Sequence, residues 1–163
     1  MLRDEIDKIL KLLTVEVQSL YGERLVALAI FGSCARDAMR PDSDIDFLIV
    51  AEDLPDGRMK RVREFEPVED KLLATLSNLA GVGINTSLSP IFKTPAEVLH
   101  GSPLFLDMTE TVHILFEKDT FLTGYLAELK ERLQAQGARK VQFKGGYYWE
   151  LKPDYREGDV IKL

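Results

Sequence analysis

The sequence contains little cysteine and little histidine, with one cysteine (Cys34) and two histidines among 163 residues. A single cysteine excludes an internal disulfide framework and is typical of a reducing compartment. The histidines, His100 and His113, are isolated and lack the spacing of metal ligands. No apolar run reaches the roughly 18 residues of a membrane span, and charges interrupt residues 1–20, where a secretory signal would lie. We therefore expect a cytoplasmic protein.

Basic residues are also in the minority, with 21 Lys and Arg against 27 Asp and Glu and a net charge of −6. Proteins that bind extended nucleic acid through its phosphates are usually basic, so we expect no such substrate. A small anionic substrate is compatible with this balance, because bound metal ions would invert the local charge. The one basic cluster, Arg58-x-Lys60-Arg61-x-Arg63, is interpreted as a solvated helix face. The alternative is a contact for phosphate, RNA or an acidic partner.

The remaining composition is that of a globular protein, with 45% hydrophobic and 29% charged residues. A length of 163 residues fits one domain. We assign the domain to residues 1–143 and treat residues 144–163 as an aromatic tail that packs on the domain or on an interface. In that tail, Tyr147-Tyr148-Trp149 is interpreted as a packing cluster, with base stacking as the alternative.

Hydrophobic periodicity predicts the first half of the fold. Apolar residues at helical spacing indicate a helix over residues 2–21 that ends at Gly22. Short apolar runs predict strands over residues 25–31 and 44–51. Between these strands we expect a brief helix over residues 35–39 and a turn over residues 40–43.

Two prolines shape the prediction for the second half. Pro67 is expected to break a helical segment over residues 58–79, and Pro90 is expected to weaken a strand over residues 82–92. The later elements follow from capping residues placed before proline and from periodicity. They are two short helices after Thr94 and Ser102, a strand over residues 113–116 and a helix over residues 119–136.

The most informative segment joins the first two predicted strands. Gly32 and Ser33 follow the first strand, and Asp44 and Asp46 open the second. Side chains at positions i and i+2 of a strand share a face, so the two aspartates stand side by side. Aspartate is depleted in strands, and two of them repel each other unless cations neutralise the charge. The pattern therefore predicts a site for divalent metal ions.

The chemistry of such a site assigns a role to each residue. Asp44 and Asp46 are the predicted catalytic and metal-binding residues, because carboxylate oxygens suit magnesium and a two-metal site serves phosphoryl chemistry. Amide groups at the start of the short helix can hold the phosphates of a nucleoside triphosphate. The predicted nucleotide-binding residues are Gly32, Ser33, Arg36 and Ser43. Each half of the motif alone is common in ordinary turns and strands, whereas the combination favours a functional site.

This motif reads Gly32-Ser33-x-Ala35-Arg36, then Ser43-Asp44-x-Asp46 leading into Phe47-Leu48-Ile49-Val50. It resembles the signature of the DNA polymerase beta-like nucleotidyltransferase superfamily, and most closely the small prokaryotic minimal nucleotidyltransferases. The resemblance implies an α/β (α+β) fold with a small mixed sheet flanked by helices. It also implies two magnesium ions held by the aspartates, and transfer of a nucleotidyl group, AMP from ATP, to a protein or small-molecule hydroxyl.

The resemblance also implies partners. Small members of the superfamily are often encoded beside HEPN-domain proteins, and some act as antitoxins that adenylylate the HEPN toxin. A HEPN-domain protein is therefore an expected partner, and a homo-oligomer is a further alternative. A drug-modifying enzyme of the aminoglycoside type is a third alternative, which we disfavour because such enzymes usually have a second domain.

One departure from the family pattern concerns a third carboxylate. Active members typically carry it on a later strand, as general base or metal ligand. The predicted strand over residues 82–92 has no Asp or Glu, and its polar side chains are Asn85, Thr86, Ser87 and Ser89. The alternative to an active enzyme is therefore an antitoxin with weak or absent catalysis that acts by binding its partner.

Overall fold

Four strands form one mixed sheet in the computed structural model, which describes residues 1–161. They are β1 (Leu25–Phe31), β2 (Ile45–Ala51), β3 (Leu88–Lys93) and β4 (His113–Glu117), and their spatial order is β3-β2-β1-β4. β2 and β3 are parallel, while β1 is antiparallel to both β2 and β4. The predicted fold class, a small mixed sheet with flanking helices, is confirmed.

Within residues 1–161, six α-helices, a 3₁₀ turn over Gly22–Arg24 and a separate hairpin accompany this sheet. The helices are α1 (Leu2–Tyr21), α2 (Gly32–Ala35), α3 (Arg58–Ala80), α4 (Pro95–His100), α5 (Leu104–Met108) and α6 (Phe121–Ala135). The hairpin consists of β5 (Arg139–Phe143) and β6 (Gly146–Glu150). Within residues 1–161, every helix is too short or too polar to cross a membrane.

The sheet buries both of its faces. Along β2, Ile45, Phe47 and Ile49 pack in a cluster with residues of α1 and α3, whereas Leu48 and Val50 pack with residues of α4, α5 and α6. Each such side chain stabilises the fold by about 1.5–3 kcal/mol when fully buried. Because side chains alternate along a strand, Asp46 points to the same face as Leu48. The aspartates therefore lie on the face that α4, α5 and α6 cover.

The first elements of the chain agree closely with the prediction. α1, with Gly22 as its C-cap, and β1 have the expected bounds, and β2 begins one residue late. The helix predicted over residues 35–39 is wrong in position, because α2 spans Gly32–Ala35. Asp37 has a left-handed φ of 57°, which ends the helical path at that point.

The predicted break at Pro67 is also wrong, because α3 continues through it. A proline inside a helix loses one backbone hydrogen bond and crowds the preceding turn. Phe65, Val68 and Leu72, on both sides of Pro67, are nevertheless buried in one cluster with α1. Burial of this apolar face of α3 outweighs the free energy that the proline costs the helix.

We predict that Pro67→Ala stabilises the protein. The interior proline costs about 3 kcal/mol, of which about 1 kcal/mol is returned by its stiffening of the unfolded chain, so we expect a gain of about 2 kcal/mol. Denaturant unfolding measures this free energy, with Glu66→Ala at the neighbouring exposed position as the matched control. A loss of stability in Pro67→Ala alone would contradict the expectation.

The third strand is shorter than predicted. β3 covers Leu88–Lys93, and residues 82–87 lie outside it. Pro90 is accommodated because β3 is an edge strand of the sheet. The two short helices and β4 occur where the sequence places them, and Thr94 forms a capping box with Glu97 at the start of α4.

In the basic cluster at the start of α3, one residue makes structural contacts and the other three are exposed to solvent. Arg61 is nearly buried, with its guanidinium 2.8 Å from the Glu97 carboxylate and donating hydrogen bonds to the carbonyls of Pro55 and Phe92. Arg58, Lys60 and Arg63 are exposed. Arg61 therefore ties α3 to the end of β3 and the start of α4.

Candidate active site

The predicted site residues come together where β1 ends and β2 and β3 begin. Asp46 is the Cα partner of Phe31 on β1 and of Ser89 on β3. Asp44 immediately precedes β2, and its Oδ1 atom accepts a hydrogen bond of 2.6 Å from the Ser87 hydroxyl. The two aspartates thus lie between the end of β1 and two serines of the β3 segment.

The electrostatics of Asp46 are those of a carboxylate that favours a cation. Burial raises the pKa of Asp46 above its ordinary value. A hydrogen bond from Ser89 lowers this pKa, the charge of Asp44 raises it, and the charge of Arg36 lowers it again, with a net increase. A divalent cation between the two carboxylates would remove both the repulsion and the cost of burial.

The pair of carboxylates fits magnesium. Mg²⁺ prefers oxygen ligands and is commonly held by one or two protein carboxylates, with substrate phosphates and water completing the coordination. Within residues 1–161, no group of three or more His, Cys, Asp or Glu side chains lies close enough together to hold a metal ion. Binding of a metal ion by the pair Asp44 and Asp46 therefore stays a prediction that rests on two carboxylates.

The turn after β1 lies directly against Asp46. Gly32 has a φ of 68°, and a Cβ atom placed on it would lie 2.5 Å from the Asp46 Oδ2 atom. Glycine is thus required both by the backbone conformation and by the space. The first amide groups of a helix have no partner inside it, so those of α2 can donate to a phosphate beside this carboxylate.

We predict that Gly32→Ala damages the site more than the fold. The left-handed conformation costs about 1–2 kcal/mol for an alanine, and the added methyl group must displace the Asp46 carboxylate. Binding of Mg–ATP should fall more steeply than the thermal stability, which calorimetric titration and thermal unfolding measure separately. Gly57→Ala, also at positive φ but with no atom near its Cβ position, is the matched control for backbone strain. Equal Mg–ATP affinity in the two variants would contradict the prediction.

The other predicted nucleotide-binding residues have different surroundings. Arg36 follows α2 and is close enough to Asp46 to lower its pKa. The Ser43 hydroxyl accepts a hydrogen bond from the backbone amide of Arg40. The backbone carbonyl of Ser43 accepts one from the Thr86 hydroxyl. These contacts fix the turn before Asp44, and a direct contact of Ser43 with nucleotide stays a prediction.

Cys34 lies inside the α2 turn but is buried in the core. Burial raises the pKa of its thiol, and the nearby charge of Arg3 lowers it only in part. The thiol is therefore neutral near pH 7 and packs as a small apolar side chain.

Serines occupy the positions on the β3 side of the aspartates. Ser87 contacts Asp44, and Ser89 contacts Asp46. A serine hydroxyl donates a hydrogen bond to a carboxylate but is not a base near neutral pH. The two serines therefore orient the carboxylates without supplying a proton acceptor.

A cavity of about 270 Å³ adjoins the α2 turn, and sequence reasoning missed most of its walls. Gly32 and Arg36 line it on one side, and Asp107 and Glu110, from α5 and the residues after it, line it on another. Lys140 of β5 also lines this cavity. Because Asp107 and Lys140 lie far from the motif in the sequence, no local pattern connects them to it.

Asp107 anchors the hairpin to α5. Tyr147 Oη donates a hydrogen bond of 2.5 Å and Trp149 Nε1 one of 3.0 Å to the two oxygens of its carboxylate. Lys140 Nζ lies 3.5 Å from Asp107 Oδ1 and 3.8 Å from the centre of the Tyr147 ring. Trp149 also packs on the cluster formed with α5 and α6. The aromatic tail is thus partly a strand that packs on the domain, and its division at residue 144 stays a prediction.

We predict that hairpin docking is lost at acid pH through Asp107. Burial raises the pKa of this carboxyl, but Tyr147, Trp149 and Lys140 lower it below its ordinary value of 3.8. The resulting stability is present above that value and disappears as the pH falls through the lower pKa of the folded protein. Fluorescence of Trp149, the only tryptophan, measures docking. Glu110 also faces Lys140, so Asp107→Asn is the control, and an identical acid transition in that variant would contradict the assignment.

Comparison with known proteins identifies relatives of the chain. Residues 10–97 match the family model described as a nucleotidyltransferase domain. The putative protein adenylyltransferase MJ1305 of Methanocaldococcus jannaschii is 30% identical over 112 residues, which cover 68% of this chain and 71% of the relative.

Solved structures are also similar over most of the chain, at low sequence identity. A toxin–antitoxin with AMP-PNP is 13% identical, covers 77% of this chain and 90% of its own, and has a TM-score of 0.43. A structure of the toxin–antitoxin MntA–HepT is 15% identical, covers 82% and 91% respectively, and has a TM-score of 0.41. A structure from Shewanella oneidensis is 17% identical, covers 78% and 89%, and has a TM-score of 0.43.

Proposed function

The chain belongs to the nucleotidyltransferase domain family, and on this premise we propose that it transfers AMP from ATP to a hydroxyl group in a magnesium-dependent reaction. One observation carries the proposal. The Asp46 carboxylate lies against the backbone of Gly32, so that one carboxylate of the pair directly adjoins a turn whose amide groups can donate to a phosphate. Metal ligands and phosphate donors must meet in this way for metal-bound triphosphate to be held.

Different residues of the chain would bind the metal ion, bind the phosphates and orient the carboxylates in the proposed reaction. Asp44 and Asp46 would hold Mg²⁺, which when bound supplies positive charge to the phosphoryl oxygens. The α2 amides and Arg36 would bind the outer phosphates and the departing pyrophosphate. The acceptor oxygen forms a bond to the α-phosphorus, the bond to pyrophosphate breaks, and the acceptor proton leaves to solvent. Ser87 and Ser89 keep the two carboxylates oriented during these steps.

We infer that the acceptor is a protein. The relative from M. jannaschii, which is 30% identical over about two thirds of the chain, is described as a putative protein adenylyltransferase. The resemblance of the motif to minimal nucleotidyltransferases adds a HEPN-domain protein as the first acceptor to examine. A tyrosine, serine or threonine hydroxyl would satisfy the chemistry.

The direct test uses ATP labelled at the α-phosphate. The protein is incubated with Mg²⁺, labelled ATP and a HEPN-domain protein encoded beside it, and the acceptor is analysed for label and for the mass of added AMP. Transfer that depends on Mg²⁺ and is abolished by EDTA is expected. Absence of label from every acceptor, while Mg–ATP still binds, would contradict the enzymatic function.

A second candidate function is supported by the serines beside the aspartates. Without a carboxylate at Ser87 or Ser89, the domain would bind nucleotide and a HEPN-type partner with little or no transfer. The double variant Asp44→Ala, Asp46→Ala separates the two functions. An antitoxin that acts by contact would still bind and neutralise its partner in this variant, whereas one that acts by adenylylation would not.

A further inference from the structure

Tyr147 on the hairpin has a hydroxyl that is both accessible and bonded to a carboxylate. Its Oη atom donates a hydrogen bond of 2.5 Å to Asp107 Oδ2, and the residue is 45% exposed. A hydroxyl held by a carboxylate is the arrangement of a nucleophile with its general base, because the carboxylate can take the proton when the oxygen forms a new bond. The bond that attaches the hairpin to α5 therefore also prepares this oxygen for reaction.

The other tyrosines in the described part of the chain have different surroundings. Tyr21 and Tyr125 are buried, and their hydroxyls have no hydrogen-bond partner. Tyr148 follows Tyr147 on β6, so its side chain points to the opposite face of the hairpin, where its ring packs against another aromatic ring. Tyr155 is exposed and lies beyond the hairpin. Tyr147 thus differs from the other described tyrosines in combining exposure with a carboxylate beside its oxygen.

The Tyr147 side chain lies at the wall of the cavity that adjoins the α2 turn. Asp107, which accepts its hydrogen bond, and Lys140, which lies over its ring, both line this cavity. Gly32 and Arg36 line it from the side of the turn that would hold the phosphates. The volume of about 270 Å³ is at the small end of the range for ligand pockets, and a nucleotide is longer than the distance across so small a space. A nucleotide bound at the turn can therefore reach the wall beside Tyr147.

One guanidinium connects Tyr147 electrostatically with the aspartate pair. The hydrogen bond to Asp107 raises the pKa of Tyr147, burial adds to the increase, and the charge of Arg36 lowers this pKa in part. Burial raises the pKa of Asp46, and the charge of Arg36 lowers that pKa in part as well. Because charges shift a pKa mainly over short distances, Arg36 lies near both groups. A phosphate bound by Arg36 would accordingly lie near both the metal-binding pair and the tyrosine.

We propose that Tyr147 is an acceptor of AMP within its own molecule, and that Asp107 takes its proton. The proposal rests on the proposed function, because it needs Mg–ATP at the aspartate pair. The Tyr147 oxygen forms a bond to the α-phosphorus, and the bond between the α-phosphorus and pyrophosphate breaks. The hydroxyl proton passes to the Asp107 carboxylate and from there to solvent, and pyrophosphate leaves.

The modification would change the attachment of the hairpin. A Tyr147 oxygen that carries AMP has no proton to donate, so one of the two hydrogen bonds from β6 to Asp107 is lost. The new phosphodiester anion also lies next to this carboxylate and repels it. The environment of Trp149, the only tryptophan, should change as a result, and its emission should shift in step with the modification.

The test uses the purified full chain without a partner protein. The chain is incubated with Mg²⁺ and ATP labelled at the α-phosphate, and peptide mass spectrometry locates the added AMP. We expect one AMP on Tyr147, formed at a rate per chain that does not depend on protein concentration, and no AMP in EDTA. Tyr147→Phe should lose the label. Tyr148→Phe, the same change on the opposite face of the hairpin, is the matched control and should keep it.

Asp107→Asn tests the assigned proton acceptor. The asparagine oxygen can still accept hydrogen bonds from the hairpin, but it cannot take a proton near neutral pH. Labelling of Tyr147 should slow by about 10²-fold, the lower end of what a positioned general base contributes. Emission of Trp149 verifies that the hairpin is docked in this variant. An unchanged labelling rate would overturn the assignment of the proton to Asp107.

The outcomes separate the inference from the proposed function. If a HEPN-domain protein added to the reaction is labelled and Tyr147 is not, the inference is wrong and the proposed function stands. Label on a different residue of the chain, or a rate per chain that rises with protein concentration, would overturn the inference in the same way. Absence of label from both the chain and the partner would contradict the proposed function and the inference together. Because the label is located in the wild-type chain, this decision does not depend on the folding of any variant.

Discussion

Asp46→Asn is expected to reduce magnesium-dependent transfer of AMP by about 10²–10³-fold, the usual effect of removing one preorganised electrostatic group from an active site. Asparagine has nearly the shape of aspartate, so contacts with Gly32 and Ser89 can be kept. The negative charge that would bind Mg²⁺ is lost. Asp44→Asn should have an effect of the same order. Initial rates with α-labelled ATP at saturating Mg²⁺ measure the change.

Stability and a neighbouring aspartate provide the controls for this prediction. Because the pKa of Asp46 is raised in the folded protein, its ionised form disfavours folding at neutral pH, and Asp46→Asn should be at least as stable as the wild type in EDTA. Asp42→Asn removes an exposed carboxylate from the turn before the pair and should keep the full rate. A transfer rate in Asp46→Asn within a few-fold of the wild type would refute the assigned role.

The centre of the site was predictable because its geometry is local. Asp44 and Asp46 are two residues apart, and the alternation of a strand alone places them on one side. Gly32 directly follows the neighbouring antiparallel strand, whose last residue, Phe31, is the Cα partner of Asp46. Apolar runs identify both strands, so the pairing of Phe31 with Asp46 follows from few assumptions.

The residues that line the adjoining cavity could not be predicted, because their contacts join segments that are far apart in the sequence. Asp107 contacts Tyr147 and Trp149 across about 40 residues of sequence, and neither end of these hydrogen bonds has a local signature. The aromatic residues indicated packing, but not the carboxylate on which they pack. Pro67 shows the same limit in the helix, where burial of Phe65 and Val68 outweighs a local rule. Contacts between residues distant in the sequence determine both the docking of the hairpin on Asp107 and the continuity of α3 through Pro67.

Ser89→Asp is expected to increase AMP transfer by about 10²-fold, at the lower end of what a positioned general base contributes. Position 89 is the Cα partner of Asp46, so the new carboxylate would stand beside the metal-binding pair on the neighbouring strand. From there it can accept the proton of an acceptor hydroxyl, which the serine hydroxyl cannot do near neutral pH. The resemblance to the polymerase beta-like family implies a carboxylate on this strand in active members. Initial rates at saturating Mg²⁺, measured against the wild type, report the gain.

The gain should depend strongly on the metal ion. A third carboxylate raises the repulsion that already increases the pKa of Asp46, so Ser89→Asp should be less stable than the wild type in EDTA and recover with Mg²⁺. Ser89→Asn, which has the same size without the charge, is the matched control and should show no gain. Equal rates for the Asp and Asn variants at saturating Mg²⁺ would mean that proton removal from the acceptor does not limit transfer. Serines at positions 87 and 89 would then be compatible with full activity, and the case for an antitoxin acting by contact alone would lose the observation that supports it.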